Sequence, residues 1–209
     1  MKIHDISQKV FGCQVYPGDR KPQMFEDTRM SRGDTYNLSS FEMCAHNGTH
    51  IDAPFHFLND GDTVERLPLE KTVGFCFVVE QNEDISGELV HQMLCRARET
   101  NAESAKRVLI KGSGVVTVEA AQFFTESGIY LIGTEAQSVG DAKAPAAVHK
   151  ILLGAGAVLL EGICLEDVSE GVYFLSAAPI NLNGCDGAPC RAILIECPKN
   201  LAACNNFAE

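Results

Sequence analysis

The stretch from His46 to His56, HNGTHIDAPFH, constrains this chain more than any other feature. Three of the six histidines and an aspartate fall within it, punctuated by Gly48 and Pro54. His46, His50, Asp52 and His56 are all even-numbered. An extended backbone would set them on one face, because strand side chains alternate with period two. A continuous helix would bring only His46 and His50 together, and Gly48 and Pro54 both oppose a helix. On either backbone, at least two imidazoles and a carboxylate can converge. Such donors suit Zn, Mn, Fe or Co better than Cu(I). Asp52 has two oxygens and can bridge two metals. The ordinary alternative is a set of surface histidines beside a turn, and it does not account for four such groups in register.

Composition narrows the partners. The formal net charge is −11, from 17 Lys+Arg against 28 Asp+Glu, with no basic cluster. A nucleic-acid partner is therefore not expected, since phosphate contacts need clustered Lys and Arg. No segment approaches the roughly 18 apolar residues of a membrane span, and the opening MKIHDISQKVFG lacks the apolar run of a signal peptide. The nine cysteines form no CxxC pair. Together these features imply a cytoplasmic protein with free thiols, most of them packing as small hydrophobes. The 209 residues, 45% hydrophobic, suit one domain over 1–209 with a core of ordinary size.

Along the chain, Lys2–Val15 reads as a short strand running to a turn at Tyr16-Pro17-Gly18-Asp19. Residues 20–35 read as an ordered loop, and Asn37–Cys44 as a strand leading into the histidine cluster. Further strands are expected at Phe75–Glu80, Arg107–Lys111, Ile129–Ile132, Ala157–Leu160, Val172–Leu175 and Ala192–Ile195. Helices are expected at Gly87–Glu99, from an N-cap at Thr117 to Gly128, and at Ala144–Leu153. Strands alternate with helices only in the second half. That mixture points to a mixed α/β or α+β fold rather than a clean doubly wound sheet.

Outside the cluster, His149 sits in an apolar helical pattern and Glu161 ends an apolar strand. A lone histidine of that kind is more often packed or on the surface. A terminal charge on a buried strand is costly unless it is paired or bound to metal. Each residue alone favours the ordinary explanation, but both become candidates once the first cluster needs further ligands. Cys185 and Cys190, in NGCDGAPC, raise a thiol nucleophile, which would leave the carboxylate-rich cluster without a task. Gly154-Ala155-Gly156 follows a helix and precedes a strand. That is the wrong order for a phosphate cradle, so it reads as a helix-ending turn.

HNGTHIDAPFHF closely resembles the HxGTHxDxPxH signature of the cyclase family of metal-dependent hydrolases, whose members include bacterial kynurenine formamidases. IHDIS with VYPGD is similar to that family's DIS…WPGD segment. His149–Gly162 resembles its second metal-binding block, and Ala178–Glu196 its closing substrate-side loop and last strand. The resemblance implies an α/β fold, a swivelling β/β/α-type domain with a central mixed sheet, and a homodimer or higher homo-oligomer. It implies two divalent metal ions, zinc first and manganese second. His46, His50 and Asp52 would bind the first, Asp52 would bridge, His149 would bind the second, and Glu161 would contact both. His56 would be the catalytic proton donor and acceptor. Tyr16 stands at the family's substrate-contacting Trp, where it can still stack on an aryl ring with a changed pocket edge.

The implied activity is hydrolysis of an aryl formamide such as N-formylkynurenine, to kynurenine and formate, by metal-activated water. Two alternatives stand beside it. One is the same chemistry on another cyclic or N-acyl amide, isatin-like. The other is a metal-dependent binding protein without turnover, for which a proton shuttle such as His56 would have no use.

Overall fold

A computed structural model of the chain describes residues 1–141 and 145–196. In chain order the strands are β1 (Ile3–Asp5), β2 (Gln23–Thr28), β3 (Leu38–Glu42), β4 (His50–Asp52), β5 (Val73–Glu80), β6 (Arg107–Lys111), β7 (Leu131–Thr134), β8 (Val158–Glu161), β9 (Gly171–Ser176), β10 (Gly187–Pro189) and β11 (Ile193–Ile195). The helices are α1 (Gly87–Thr100), α2 (Val118–Glu126) and α3 (Pro145–Gly154).

Nine strands form one mixed sheet in the order β1-β11-β9-β5-β6-β7-β8-β4-β10. β5, β6, β7 and β8 are parallel neighbours, joined through α1, α2 and α3, while the flanking strands pair antiparallel. Parallel pairing requires crossovers of this kind, and the apolar runs between the helices supply the strands. The mixed α/β class expected from the sequence is the class observed.

Alternation divides the core. Phe77, Val79, Val108, Ile110, Ile132 and Leu159 turn towards the apolar stripes of the three helices. Cys76, Val78, Leu109, Leu131, Val158 and Leu160 turn to the opposite face, under loops bearing Val64, Leu67, Leu165 and Val168. Ser86 caps α1 by accepting from Leu89 N, and Thr117 caps α2 by accepting from Ala120 N. Each such cap is worth about 1 kcal/mol. Gly128, at φ +73°, takes the left-handed turn that ends α2.

Three regions differ from the sequence expectation. Residues 20–35 are not a loop, because β2 lies there, paired antiparallel with β3 as a two-stranded ribbon apart from the main sheet. β2 is exposed along nearly its whole length, so no buried alternation marked it, while β3 lies within the strand expected at Asn37–Cys44. The three-residue strands β4 and β10 were also missed, since neither is long enough to show a period. The third helix is described over Pro145–Gly154, and its expected first residue, Ala144, lies outside the described residues.

Candidate metal centre

β8 continues its alternation past Leu159, so Glu161 also points to the helix side of the sheet. Antiparallel pairing sets His50 opposite Glu161 and Asp52 opposite Leu159, which carries both side chains to that same face. His149 descends onto them from α3. All four are buried, at 2% exposure for His50, 0% for Asp52, 2% for His149 and 3% for Glu161.

The period-two reading of the cluster holds only for His50 and Asp52. His46 returns to them from a turn, and His56 from a short 3₁₀ turn at Pro54–His56. Two glycines allow the first return. Gly48 takes φ +69° and Gly162 takes φ +67°, and a Cβ on Gly162 would lie 2.7 Å from Gly48 O. Thr49 Oγ1 locks this approach by donating to Gly162 O at 2.6 Å. HNGTH and the Gly after Glu161 thus fit each other as backbone surfaces.

The ring orientations define the chemistry. His50 Nδ1 lies 2.9 Å from Gly48 O, and His149 Nδ1 lies 2.8 Å from Pro145 O. A carbonyl only accepts, so each Nδ1 carries its hydrogen and donates. The remaining nitrogens face carboxylates. His149 Nε2 is 3.2 Å from Glu161 Oε1 and 3.7 Å from Asp52 Oδ2. His50 Nε2 is 3.3 Å from Asp52 Oδ1 and 3.5 Å from Glu161 Oε2. A neutral imidazole would aim a lone pair at these oxygens. Only a proton on Nε2 or a shared cation reconciles the arrangement. Among the described residues, His50 Nε2 and Asp52 Oδ2 are buried polar atoms with no hydrogen-bond partner. Orphaned polar atoms of this type are costly inside a protein, and they are atoms that a divalent ion would bind.

The protonation balance agrees. Burial pulls the His46 pKa down, but hydrogen bonds to Asp186 and Asp52 outweigh it and raise it to about 9. Burial likewise opposes charge on His50, and Asp52 and Glu161 overcome it, leaving the pKa well above 6.5. His149 is raised against burial by Glu161. Burial favours the neutral acid at Asp52, yet His46 and His50 hold its carboxyl below the usual carboxylate range. The site holds positive charge beside fixed carboxylates, which is what a metal cation would replace.

Of the three sets among the described residues that place one donor atom per residue within 4.8 Å of the others, two are His46, His50 and Asp52, and Asp52, His149 and Glu161. Asp52 is common to both. His56 stands beside them, its Nε2 4.0 Å from Asp52 Oδ2 and its ring 4.1 Å from that of His46. The five residues expected as ligands and the expected proton carrier are therefore in one place. Tyr16 is 40% exposed in its turn, and among the described residues no hydrogen bond or ring contact joins it to the cluster. From the same turn, Asp19 Oδ2 accepts at 3.8 Å from the Sγ of Cys44, two residues before His46. Burial pushes the Cys190 thiol up to about 12, which removes it as a thiolate nucleophile.

Sequence reasoning missed Asp186. Its Oδ2 lies 2.8 Å from His46 Nε2 and 3.0 Å from His56 Nδ1. The one available signal was an acidic residue ahead of a glycine in NGCDGAPC.

Donor type, spacing and burial together define a centre suited to divalent metal. The cyclase family model matches residues 4–141, and the chain belongs to that family. The kynurenine formamidase of Erythrobacter litoralis is 34% identical over 211 residues, covering 94% of this chain and 95% of that protein. A solved structure described as a potential metal-dependent hydrolase with cyclase activity superposes with TM-score 0.76 at 29% identity, covering 94% of this chain and 99% of that one. Isatin hydrolase A from Labrenzia aggregata superposes with TM-score 0.76 at 23% identity, over 92% of this chain and 93% of that one, a likeness of fold.

Proposed function

We propose that this chain is a metal-dependent amidohydrolase that cleaves an aryl formamide such as N-formylkynurenine to an aryl amine and formate. The observation that carries the reading is the pair of Nδ1-anchored rings, His50 and His149, aiming Nε2 at buried Asp52 and Glu161 with His56 alongside. Two divalent ions fit, zinc first and manganese second, with His46, His50 and Asp52 holding one and Asp52, His149 and Glu161 the other. Bound there, they would supply Lewis acidity towards the carbonyl oxygen and activate water.

The chain's own residues do the rest. His50 and His149 are fixed in one tautomer by backbone carbonyls, so their Nε2 lone pairs are pre-aimed and little reorganisation is needed on binding. Asp52 presents both oxygens from a rigid three-stranded neighbourhood of β8, β4 and β10. His56 is only partly buried, with 29% of its side chain exposed, and so can meet a substrate that the deeper rings cannot. It donates a proton to the departing amine nitrogen, a contribution of about 10² to 10⁴ in rate. An arylamine is weakly basic, so this transfer can be late. Phe57 packs edge-on against the His56 ring at 4.6 Å and limits its swing. The reading also assigns the aryl contact to Tyr16, whose side chain is exposed in its turn.

The reading extends to a single domain over 1–209 and to a homodimer or higher homo-oligomer, with the β2–β3 ribbon as the contact. An isolated two-stranded ribbon is marginal in water. This one exposes Met24, Phe25, Leu38 and Phe41. Residues 20–42 carry Arg20, Lys21, Arg29 and Arg32 against Glu26, Asp27, Asp34 and Glu42, a balance of zero within a chain of −11. Two copies repel least where they meet through this neutral surface. Among the described residues no helix is long and apolar enough to cross a membrane, and no disulfide joins the seven described cysteines, which fits the cytoplasm.

The test is turnover of N-formylkynurenine and of isatin by one preparation, with bound metal counted and a chelated control. Formamide turnover abolished by chelation supports the reading. Isatin turnover alone moves the substrate to cyclic amides, and loss of neither activity on chelation rejects the metal mechanism.

A further inference from the structure

We infer that Asp186 is a positioning residue whose single Oδ2 fixes both the His46 ring and the proton-carrying His56 ring. The inference rests on the hydrolase reading for its kinetic arm and on geometry alone for its spectroscopic arm.

Asp186 precedes β10, at the corner where Cys185 O accepts from Val64 N and Asp186 O accepts from Ala53 N, both at 2.9 Å. Those two bonds tie the corner to the chain on either side of His56. From it, Oδ2 lies 2.8 Å from His46 Nε2 and 3.0 Å from His56 Nδ1. The next residue is shaped for the same contact. A Cβ on Gly187 would sit 2.7 Å from His46 Cε1 and 2.7 Å from Ile51 O, so only glycine lets the ring lie there.

The consequence follows from donor and acceptor counting. An ionised carboxylate only accepts, so both facing nitrogens carry hydrogen. His46 then has Nδ1 left for metal, beside Asp52 Oδ1 at 2.8 Å. His56 has Nε2 left to take or give a proton, on the side of Asp52. One carboxylate therefore sets the tautomer of a ligand and of the proton carrier. It also joins the two rings, whose centroids lie 4.1 Å apart with their planes tilted by 33°, through one acceptor. Carboxylates placed behind metal-bound imidazoles are known devices for orienting them. Here the same oxygen extends to the general acid–base group, as the buried aspartate does for histidine in hydrolytic triads.

The competing role is a direct ligand, because His46, His56 and Asp186 also lie close enough to hold an ion. Asp186→Asn separates the two. The amide is isosteric but can turn an NH2 towards the rings and admit the wrong tautomer. The expected result is two equivalents of zinc retained, KM within about threefold, and kcat lower by about 10²-fold. Asp186→Glu keeps the carboxylate and is expected to recover part of kcat, whereas a purely packing role would make the bulkier Glu the worse variant. Nitrogen-15 spectra of the His56 ring, assigned with His56→Asn, should show a hydrogen-bonded Nδ1–H in metal-free and zinc-loaded protein that Asp186→Asn loses. That arm stands even if N-formylkynurenine is not the substrate. Loss of one zinc equivalent in Asp186→Asn would make Asp186 a ligand and overturn the inference. So would unchanged His56 ring signals, or kcat within threefold of the parent.

Discussion

The metal centre and the β2–β3 ribbon invert the usual placement of polar and apolar groups in opposite ways. At the end of β8, two carboxylates and two imidazoles are almost fully buried, with Asp52 Oδ2 and His50 Nε2 lacking hydrogen-bond partners. On the ribbon, Met24, Phe25 and Phe41 are 52%, 43% and 59% exposed. Buried charge is tolerated only when compensated, and clustered exposed apolar surface is usually covered by a partner. The proposed reading gives each region a partner of complementary chemistry: a divalent cation for the first, an apolar protein surface for the second. The centre is built on paired strands and one helix, so it can act as a rigid ligand set. The ribbon makes its closest contacts within itself, through Arg29 Nη1 to Leu38 O and Met30 N to Asn37 Oδ1.

If the contrast is real, the two regions respond differently to substitution and to chelation. The largest effect is expected from Asp52→Ala, which removes the oxygens common to both donor sets. Activity should fall by more than about 10³-fold, with bound zinc below one equivalent by elemental analysis. His56→Asn should cut kcat by about 10²- to 10⁴-fold while both metals stay bound. A variant that lost metal as well would move His56 into the ligand set.

Chelation comes next. Metal present at about 1,000 times its dissociation constant stabilises a fold by about 4 kcal/mol, so stripping should lower the melting temperature by about 10 °C. The pH dependence of the stripped protein has a definite sign. His46 is raised from 6.5 to about 9, so its contribution is complete below pH 6.5 and disappears as pH rises through 9. Asp52 is lowered, so its contribution is present above the ordinary aspartate range and lost as pH falls through its depressed value. Stripped protein should thus lose melting temperature from pH 6.5 to 9. Loaded protein should not, because protons and metal compete for the same nitrogens. Parallel curves for the two forms would break the account of the centre.

The smallest effect on the fold is expected at the ribbon. Phe41→Ser with Met24→Ser changes a facing pair on its surface. Monomer stability should shift by no more than about 0.5 kcal/mol per site. Sedimentation should show a smaller assembly than the parent's. An unchanged assembly would place the contact elsewhere.

The same contrast explains what the sequence could reveal. Apolar runs such as Arg107–Lys111 and the capped helix after Thr117 announced the parallel core, because burial on two sides leaves a strong pattern. The centre was legible at His46–His56 because its chemistry is concentrated in one short stretch. His149 and Glu161 are each ordinary in context, and only the register of β4 with β8 and the descent of α3 join them to it. Asp186 was not recognised because its partners are 140 and 130 residues away, and no local pattern encodes such a contact. β2 was read as loop because it buries almost nothing in its own chain, whereas β3 falls inside the strand expected at Asn37–Cys44.

The most direct measurement is anomalous diffraction from crystals of the zinc-loaded protein, with metal counted on the same sample. The account predicts two peaks that share Asp52, one against His46 and His50 and the other against His149 and Glu161. A single peak, or zinc bound away from Asp52, would contradict it.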